Sequence, residues 1–137
     1  MPSKLNPYLT FIRNAREAME FYQSVFGGEL TLQTFKSMHA SQGPELDDLI
    51  MHGQLITATG MTLMGSDDPE SANASTNTSI AVSGEDEGAL RAYWEKLNDS
   101  ATVLAPFGTA PWGDVFGMLV DKFGIRWMIN VNKPKAA

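Results

Sequence analysis

The sequence predicts an α+β protein built from two consecutive βαβββ modules, and three observations carry that prediction. The first is the stretch from Trp112 to Asn130. There Phe116, Met118 and Val120 alternate with Val115, Gly117 and Leu119, Asp121-Lys122-Phe123-Gly124 breaks the run, and Ile125 to Val131 resumes it, which is a hairpin signal. The second is an ungapped match of Leu55–Met64 to Leu119–Met128, which pairs Gly60 with Gly124, Leu63 with Trp127 and Met64 with Met128 at an offset of 64 residues. The third is a helical pattern before each hairpin, Ala18-Met19-x-x-Tyr22-x-x-x-Phe26 and, 71 residues later, Ala89-Leu90-x-x-Tyr93-x-x-x-Leu97. Matched elements in one order point to an internal duplication.

Leu5 to Ile12 opens the first module as a strand, with Pro7 near its start, where a missing N–H is tolerated. Asn14, with Glu17 three residues on, has the spacing of a capping box. Met19, Tyr22 and Phe26 then share a helical face, and Gly27-Gly28 supplies the conformation that ends the helix. Glu29 to Phe35 alternates as a strand. Lys36 to Asp48 is a polar connection, and Ile50–Ala58 and Met61–Met64 form the first hairpin around Thr59-Gly60. Ser66 to Thr78 is poor in apolar residues and predicts an exposed linker whose acidic cluster is a solvated turn.

Ser79 to Val82 starts the second module, and Ser83-x-x-Asp86 repeats the capping-box spacing. Leu90, Tyr93 and Leu97 give the second helix its buried face, with Asn98 ending it. Thr102 to Leu104 resumes a strand, Pro106 to Pro111 breaks it, and Lys133 to Ala137 is expected to fray. The whole chain, 1–137, is thus expected to form one domain with modules at about 4–65 and 77–131 and a linker at 66–76.

Composition narrows the function. A net charge of −6 and a pI near 4.7 leave no basic stripe, which argues against nucleic acid and anionic membrane as partners. The absence of cysteine removes disulfides, thiolate metal sites and cysteine nucleophiles. No apolar run is long enough to span a bilayer and no secretory leader is read, so a cytoplasmic location is expected.

The two βαβββ units, the helix end Phe21-Tyr22-x-x-Val25-Phe26-Gly27-Gly28 and the turn Asp121-x-x-Gly124 resemble the glyoxalase/bleomycin-resistance/extradiol dioxygenase superfamily, also called vicinal oxygen chelate. Within it, Ile50-Met51-His52, Trp112-Gly113 and Asp121 to Asn130 resemble the PhnB-like branch. The resemblance implies that each module curls into a partial barrel, that the two enclose a pocket, and that the protein forms a homodimer. It also implies a divalent metal held by one side chain from the first and one from the last strand of each module.

Those positions fall near Pro7 or Tyr8, near Ser79, at Leu63 or Met64, and at Met128, and none is a good ligand for a hard metal. No cofactor is therefore expected, a divalent metal being possible only if this register is displaced. The two histidines are His39, in a polar connection, and His52, which alternation places on one face with Gln54 and Ile56; for His52 a structural role outweighs that of ligand or base. Tyr8, His52, Met64, Phe107, Trp112, Phe116, Trp127 and Met128 are the candidate pocket residues. Phe116 and Trp127 fit a plain core as well as a pocket wall. Arg126 is expected to face solvent, opposite Trp127.

No pattern prescribes a reaction. The expected function is that of a PhnB-like protein binding a small organic molecule in an apolar pocket without the usual metal. The alternatives are a metal-dependent lyase, isomerase or oxygenase, and a drug-sequestering protein that performs no chemistry. Relatives of this branch sometimes carry a demethylubiquinone methyltransferase label, yet no glycine-rich nucleotide turn follows a strand here.

Overall fold

The structure, a computed structural model, describes residues 4–69 and 78–134 of the 137-residue chain. It divides into two compact units, Met1–Ala74 and Ser75–Ala137. No helix among the described residues is long and apolar enough to cross a membrane.

The first unit runs β1 (Tyr8–Phe11), α1 (Ala15–Phe26), β2 (Glu29–Thr34), β3 (Ile50–Ile56) and β4 (Thr62–Asp67), with a single 3-10 turn, Pro44–Leu46, between β2 and β3. Its sheet has the order β1-β4-β3-β2; β1 is parallel to β4 and the other pairs are antiparallel. Helix α1 buries Ala15, Ala18, Met19, Tyr22, Val25 and Phe26, one stripe at helical spacing, against one face of that sheet. Gly27 (φ +70°) and Gly28 (φ +100°) turn the chain into β2, and a Cβ on Gly28 would lie 2.0 Å from the carbonyl oxygen of Ile56. Only glycine fits there.

The second unit repeats the plan with β5 (Ile80–Gly84), α2 (Glu87–Leu97), β6 (Thr102–Thr109), β7 (Val115–Val120) and β8 (Arg126–Val131), in the order β5-β8-β7-β6 with β5 parallel to β8. The hairpin of Trp112–Asn130 thus supplies the two inner strands. Both hairpin turns also share one bonding scheme at the same 64-residue offset. Thr57 N–H donates to Met61 O (2.8 Å) and Gly60 N–H to Thr57 O (2.9 Å), as Asp121 N–H donates to Ile125 O (2.8 Å) and Gly124 N–H to Asp121 O (2.9 Å). The side chain repeats as well: Thr57 Oγ1 accepts from Met61 N–H (3.0 Å) and Asp121 Oδ1 from Ile125 N–H (3.1 Å).

Several expectations are corrected. Asn14 makes no side-chain cap bond; instead Ala15 N–H donates to Asp67 Oδ1 and Ile50 N–H to Asp67 Oδ2, each at 2.9 Å. Asp67, 4% exposed, ends β4 and is no part of a solvated linker. A carboxylate at the start of a helix and of a strand satisfies two otherwise orphaned amides and suits the positive end of the helix. The rest of the expected linker, from residue 70 through 76, lies outside the described residues. Ser83 belongs to β5, and Asp86 is the cap, accepting from Ala89 N–H at 3.1 Å. Pro106 does not end a strand but lies within β6, an edge strand whose register shifts on either side of Ala105, where the missing N–H costs no ladder bond.

Trp94, rather than Tyr93, joins Leu90 and Leu97 beneath α2. Lys133 is tied down, its N–H donating to Asp114 Oδ1 (2.9 Å) and its ammonium pairing with Glu87. Lys133 and then Arg91 hold the Glu87 carboxyl below the usual carboxylate range. Because that pKa is lowered by folding, any stability from this exposed tether is present above the unfolded value and fades as pH falls through the folded one.

Gly28→Ala, which meets backbone atoms, should cost about 3 kcal/mol or more in urea unfolding, whereas Gly60→Ala, at φ +89° but with nothing within 4 Å, should cost about 1–2 kcal/mol. Asp67→Asn, which turns one acceptor into a donor facing an amide, should cost about 2–3 kcal/mol by the same measurement.

Candidate functional site

Within each unit the sheet has a helix face and a helix-free face, and strand alternation assigns every candidate residue to one or the other. In the first unit the residues under α1 include Phe11, Leu55, Leu63 and the glycines Gly53 and Gly65, against which Met19 packs. The strand register places Tyr8, Thr10, His52, Gln54, Met64 and Ser66 on the other side, because Tyr8 lies opposite Met64, Thr10 opposite Ser66 and Gln54 opposite Met64. Tyr8 and His52 flank the central strand β4 and meet across it. Tyr8 Oη lies 3.3 Å from His52 Nδ1, and the two rings stand 5.8 Å apart at 35°. His52 thus shares its face with Gln54 and Ile56, as alternation predicts. His39 is exposed in the β2–β3 connection, at φ +56°.

In the second unit the helix-free face has an apolar centre, with Arg126 at one end and Asn130 and Ser83 at the other. Met118 lies opposite Met128, Phe116 opposite Asn130, and Ala81 opposite Met128 on the far side of β8. These residues are half-buried apart from the exposed Ala81, and Trp112, 53% exposed, meets Phe116 edge-on at 5.4 Å. Two candidates fall on the opposite side. Trp127 is 1% exposed in the core beneath α2, its indole N–H donating to Asp121 Oδ2 at 2.8 Å. Phe107 is a residue of strand β6 rather than of a loop. It stacks on Trp94 at 5.4 Å beside a surface groove of about 310 Å³ between α2 and β6. Arg126 is exposed, opposite in direction to Trp127.

The strand pairing gives the residues at the four positions where the resemblance implies a metal ligand. They are Tyr8 with Met64, and Ala81, rather than a residue near Ser79, with Met128. β5 begins at Ile80, which moves that position two residues on. A phenol, two thioethers and a methyl group do not fit a hard divalent ion, which takes carboxylate, imidazole or water oxygen. Among the described residues no three His, Asp or Glu side chains converge.

Sequence reasoning missed the contact between Tyr8 and His52 and the role of Trp94. The first needs the parallel register of β1 on β4. The second could have been found from the apolar residue one position past Tyr93 on the same helix.

Comparison with known proteins agrees with this geometry. Residues 3–130 match the model of the family described as 3-demethylubiquinone-9 3-methyltransferase. Protein YjdN of Escherichia coli (strain K12) is 27% identical over 140 residues, covering 94% of this chain and 95% of that protein. The crystal structure of PA1353 from Pseudomonas aeruginosa is similar at 29% identity and a TM-score of 0.81, covering 97% of this chain and 100% of that one. The PhnB protein of Bacillus cereus gives 26% and 0.75, over 95% and 100% of the two chains. A glyoxalase/bleomycin resistance protein/dioxygenase superfamily member from Sphaerobacter thermophilus shares the fold alone, with 15% identity and a TM-score of 0.56 over 95% of this chain and 98% of that one. Two four-stranded mixed sheets, each backed by one helix and neither closed on itself, are the fold shared with that glyoxalase/bleomycin resistance protein, and the family match over 3–130 makes this chain a PhnB-like member of the family described as 3-demethylubiquinone-9 3-methyltransferase.

Proposed function

We propose that this PhnB-like protein binds a small, largely apolar organic molecule without a metal ion, and that the helix-free face of the second sheet is the seat. The carrying observation is the patch of Phe116, Met118 and Met128 on inner strands β7 and β8, half-buried yet not covered by α2. Methionine side chains are flexible and polarisable and adapt to varied aromatic and aliphatic shapes. The residues at the four ligand positions support a metal-free seat. The patch carries no acid, base or nucleophile, which favours binding without turnover, in the manner of a sequestering protein. The chain is read as a cytoplasmic homodimer, the dimer being what the family resemblance implies.

The family's description names a methyl transfer. A different reading is supported here by the glycines: Gly27-Gly28 closes a helix, whereas a nucleotide-binding turn follows a strand and opens a helix. S-adenosylmethionine is accordingly expected to give no binding heat in calorimetry, and saturable binding would contradict this reading.

Protein purified without a histidine tag should hold only trace zinc, manganese, nickel and iron, and stoichiometric metal would overturn the metal-free seat. The neutral dye Nile red should bind saturably, and Met128→Ser should weaken it about tenfold with little change in thermal midpoint, because Met128 is only half-buried. Unchanged dye affinity in that variant would place the seat elsewhere.

A further inference from the structure

The groove between α2 and β6 lies on the helix side of the second sheet, away from the apolar seat, which does not use it. Trp94 and Phe107, whose rings stack at 5.4 Å, give it an aromatic side, and the exposed Val103 and Pro106 add apolar surface. From the helix it is lined by Arg91, Glu95 and Asn98, which at i, i+4 and i+7 stand in one row along α2.

The charges in that row are set by helix order. An acid four positions before a base pairs better than the reverse, because each charge then meets the favourable end of the helix dipole. Arg91 accordingly donates back to Glu87 at 3.0 Å and, among the described residues, makes no pair with Glu95. Glu87 also holds the Lys133 ammonium, so two cations share one carboxylate and a positive charge is left over at this end. The Arg91 guanidinium, 5.0 Å from the centre of the Phe107 ring, keeps further N–H donors. At the other end, Glu95 and the Asn98 side chain make no hydrogen bond or ion pair among the described residues. That end is also the C-terminus of α2, where the helix's own carbonyl groups favour a cation.

Charge complementarity therefore selects a ligand with two opposite charges close together on an apolar body. An aromatic α-amino acid has all three features: its ammonium suits Glu95 and the Asn98 amide oxygen, its carboxylate suits Arg91, and its ring suits Phe107, Pro106 and Val103. An amine without the carboxylate would meet the Arg91 charge uncompensated, and a carboxylate without the amine would meet that of Glu95. The volume of about 310 Å³ suits a molecule of that size, since ligand sites run from roughly 300 Å³ upward.

We propose that the groove between α2 and β6 is a binding site for a free aromatic α-amino acid, whose zwitterionic head lies between Arg91 and Glu95. No covalent step is involved, and Arg91, Glu95 and Asn98 are binding residues.

The test uses calorimetry on the full chain with L-phenylalanine and with phenethylamine and phenylpropanoate, which keep the ring and lose one charge each. Near neutral pH, L-phenylalanine should bind saturably and at least about tenfold more tightly than either. Glu95→Gln should remove its advantage over phenylpropanoate, and Arg91→Gln its advantage over phenethylamine, because each variant lacks the partner of the charge that separates the two ligands. Glu95 is exposed and its substitution breaks no bond shown by the structure, so the thermal midpoint of Glu95→Gln should match the parent chain. That variant settles the question if Arg91→Gln, which also loses the Glu87 pair, disturbs α2. Met128→Ser, which should weaken Nile red, should leave L-phenylalanine affinity unchanged. Absence of saturable binding, equal binding of the three ligands, or an advantage over phenylpropanoate that survives Glu95→Gln would overturn this site and leave the apolar patch standing. Loss of L-phenylalanine affinity in Met128→Ser would overturn it too, by moving the amino acid to that patch.

Discussion

A helix can lie directly on a β-sheet only where the strand beneath it has room, and that constraint orders everything else in this chain. Met19 of α1 rests over Gly53 and Gly65, where added Cβ atoms would come within 3.5 and 3.2 Å of its side chain. Trp94 of α2 rests over Gly117, where a Cβ would meet the indole at 2.8 Å. Gly53 and Gly117 are 64 residues apart, the offset that relates the two hairpins. Each glycine closes one face of its sheet by letting a large side chain from the helix fill the space. The core lies there, and the other face of each sheet carries no helix.

Duplication explains why the two units share a scaffold and divergence explains why their helix-free faces differ. The turn at Thr57–Met61 and the turn at Asp121–Ile125 make the same backbone and side-chain bonds, with a hydroxyl in one and a carboxylate in the other. Asp121 uses its second oxygen to hold the indole of Trp127, a bond its counterpart Thr57 cannot make to Leu63. Caps have diverged too: α1 borrows Asp67 from the end of β4, while α2 carries its own in Asp86. On the helix-free faces the first unit has become polar around Tyr8 and His52, and the second apolar around Met118 and Met128. The positions at which the superfamily resemblance implies metal ligands now hold Tyr8, Met64, Ala81 and Met128.

Much of this was legible in the sequence because the hairpins follow the strand period and end in glycine turns, and because α1 buries a regular stripe. The family followed from those same residues. What stayed hidden depends on contacts between distant segments. Asp67 reads as part of a polar linker until α1 and β3 are seen to bring two amides to it. Asn14 and Ser83 have capping-box spacing, but the spacing cannot show that another carboxylate already holds the first amide or that the strand runs on past Ser83. Pro106 reads as a break because proline is excluded from inner strands, and only sheet order shows that β6 is an edge. Tyr8 and His52 are 44 residues apart, and their contact depends on a parallel register that local pattern does not encode.

The division between a filled, helix-covered face and a helix-free one can be tested directly with methyl NMR on methionine-labelled protein. Met118 and Met128 lie on the helix-free face of the second sheet, whereas Met19 is fully buried beneath α1. Titration with anisole should shift the methyl signals of Met118 and Met128 in a saturable way and leave that of Met19 in place. A shift of Met19 with no change at Met118 and Met128 would contradict the account.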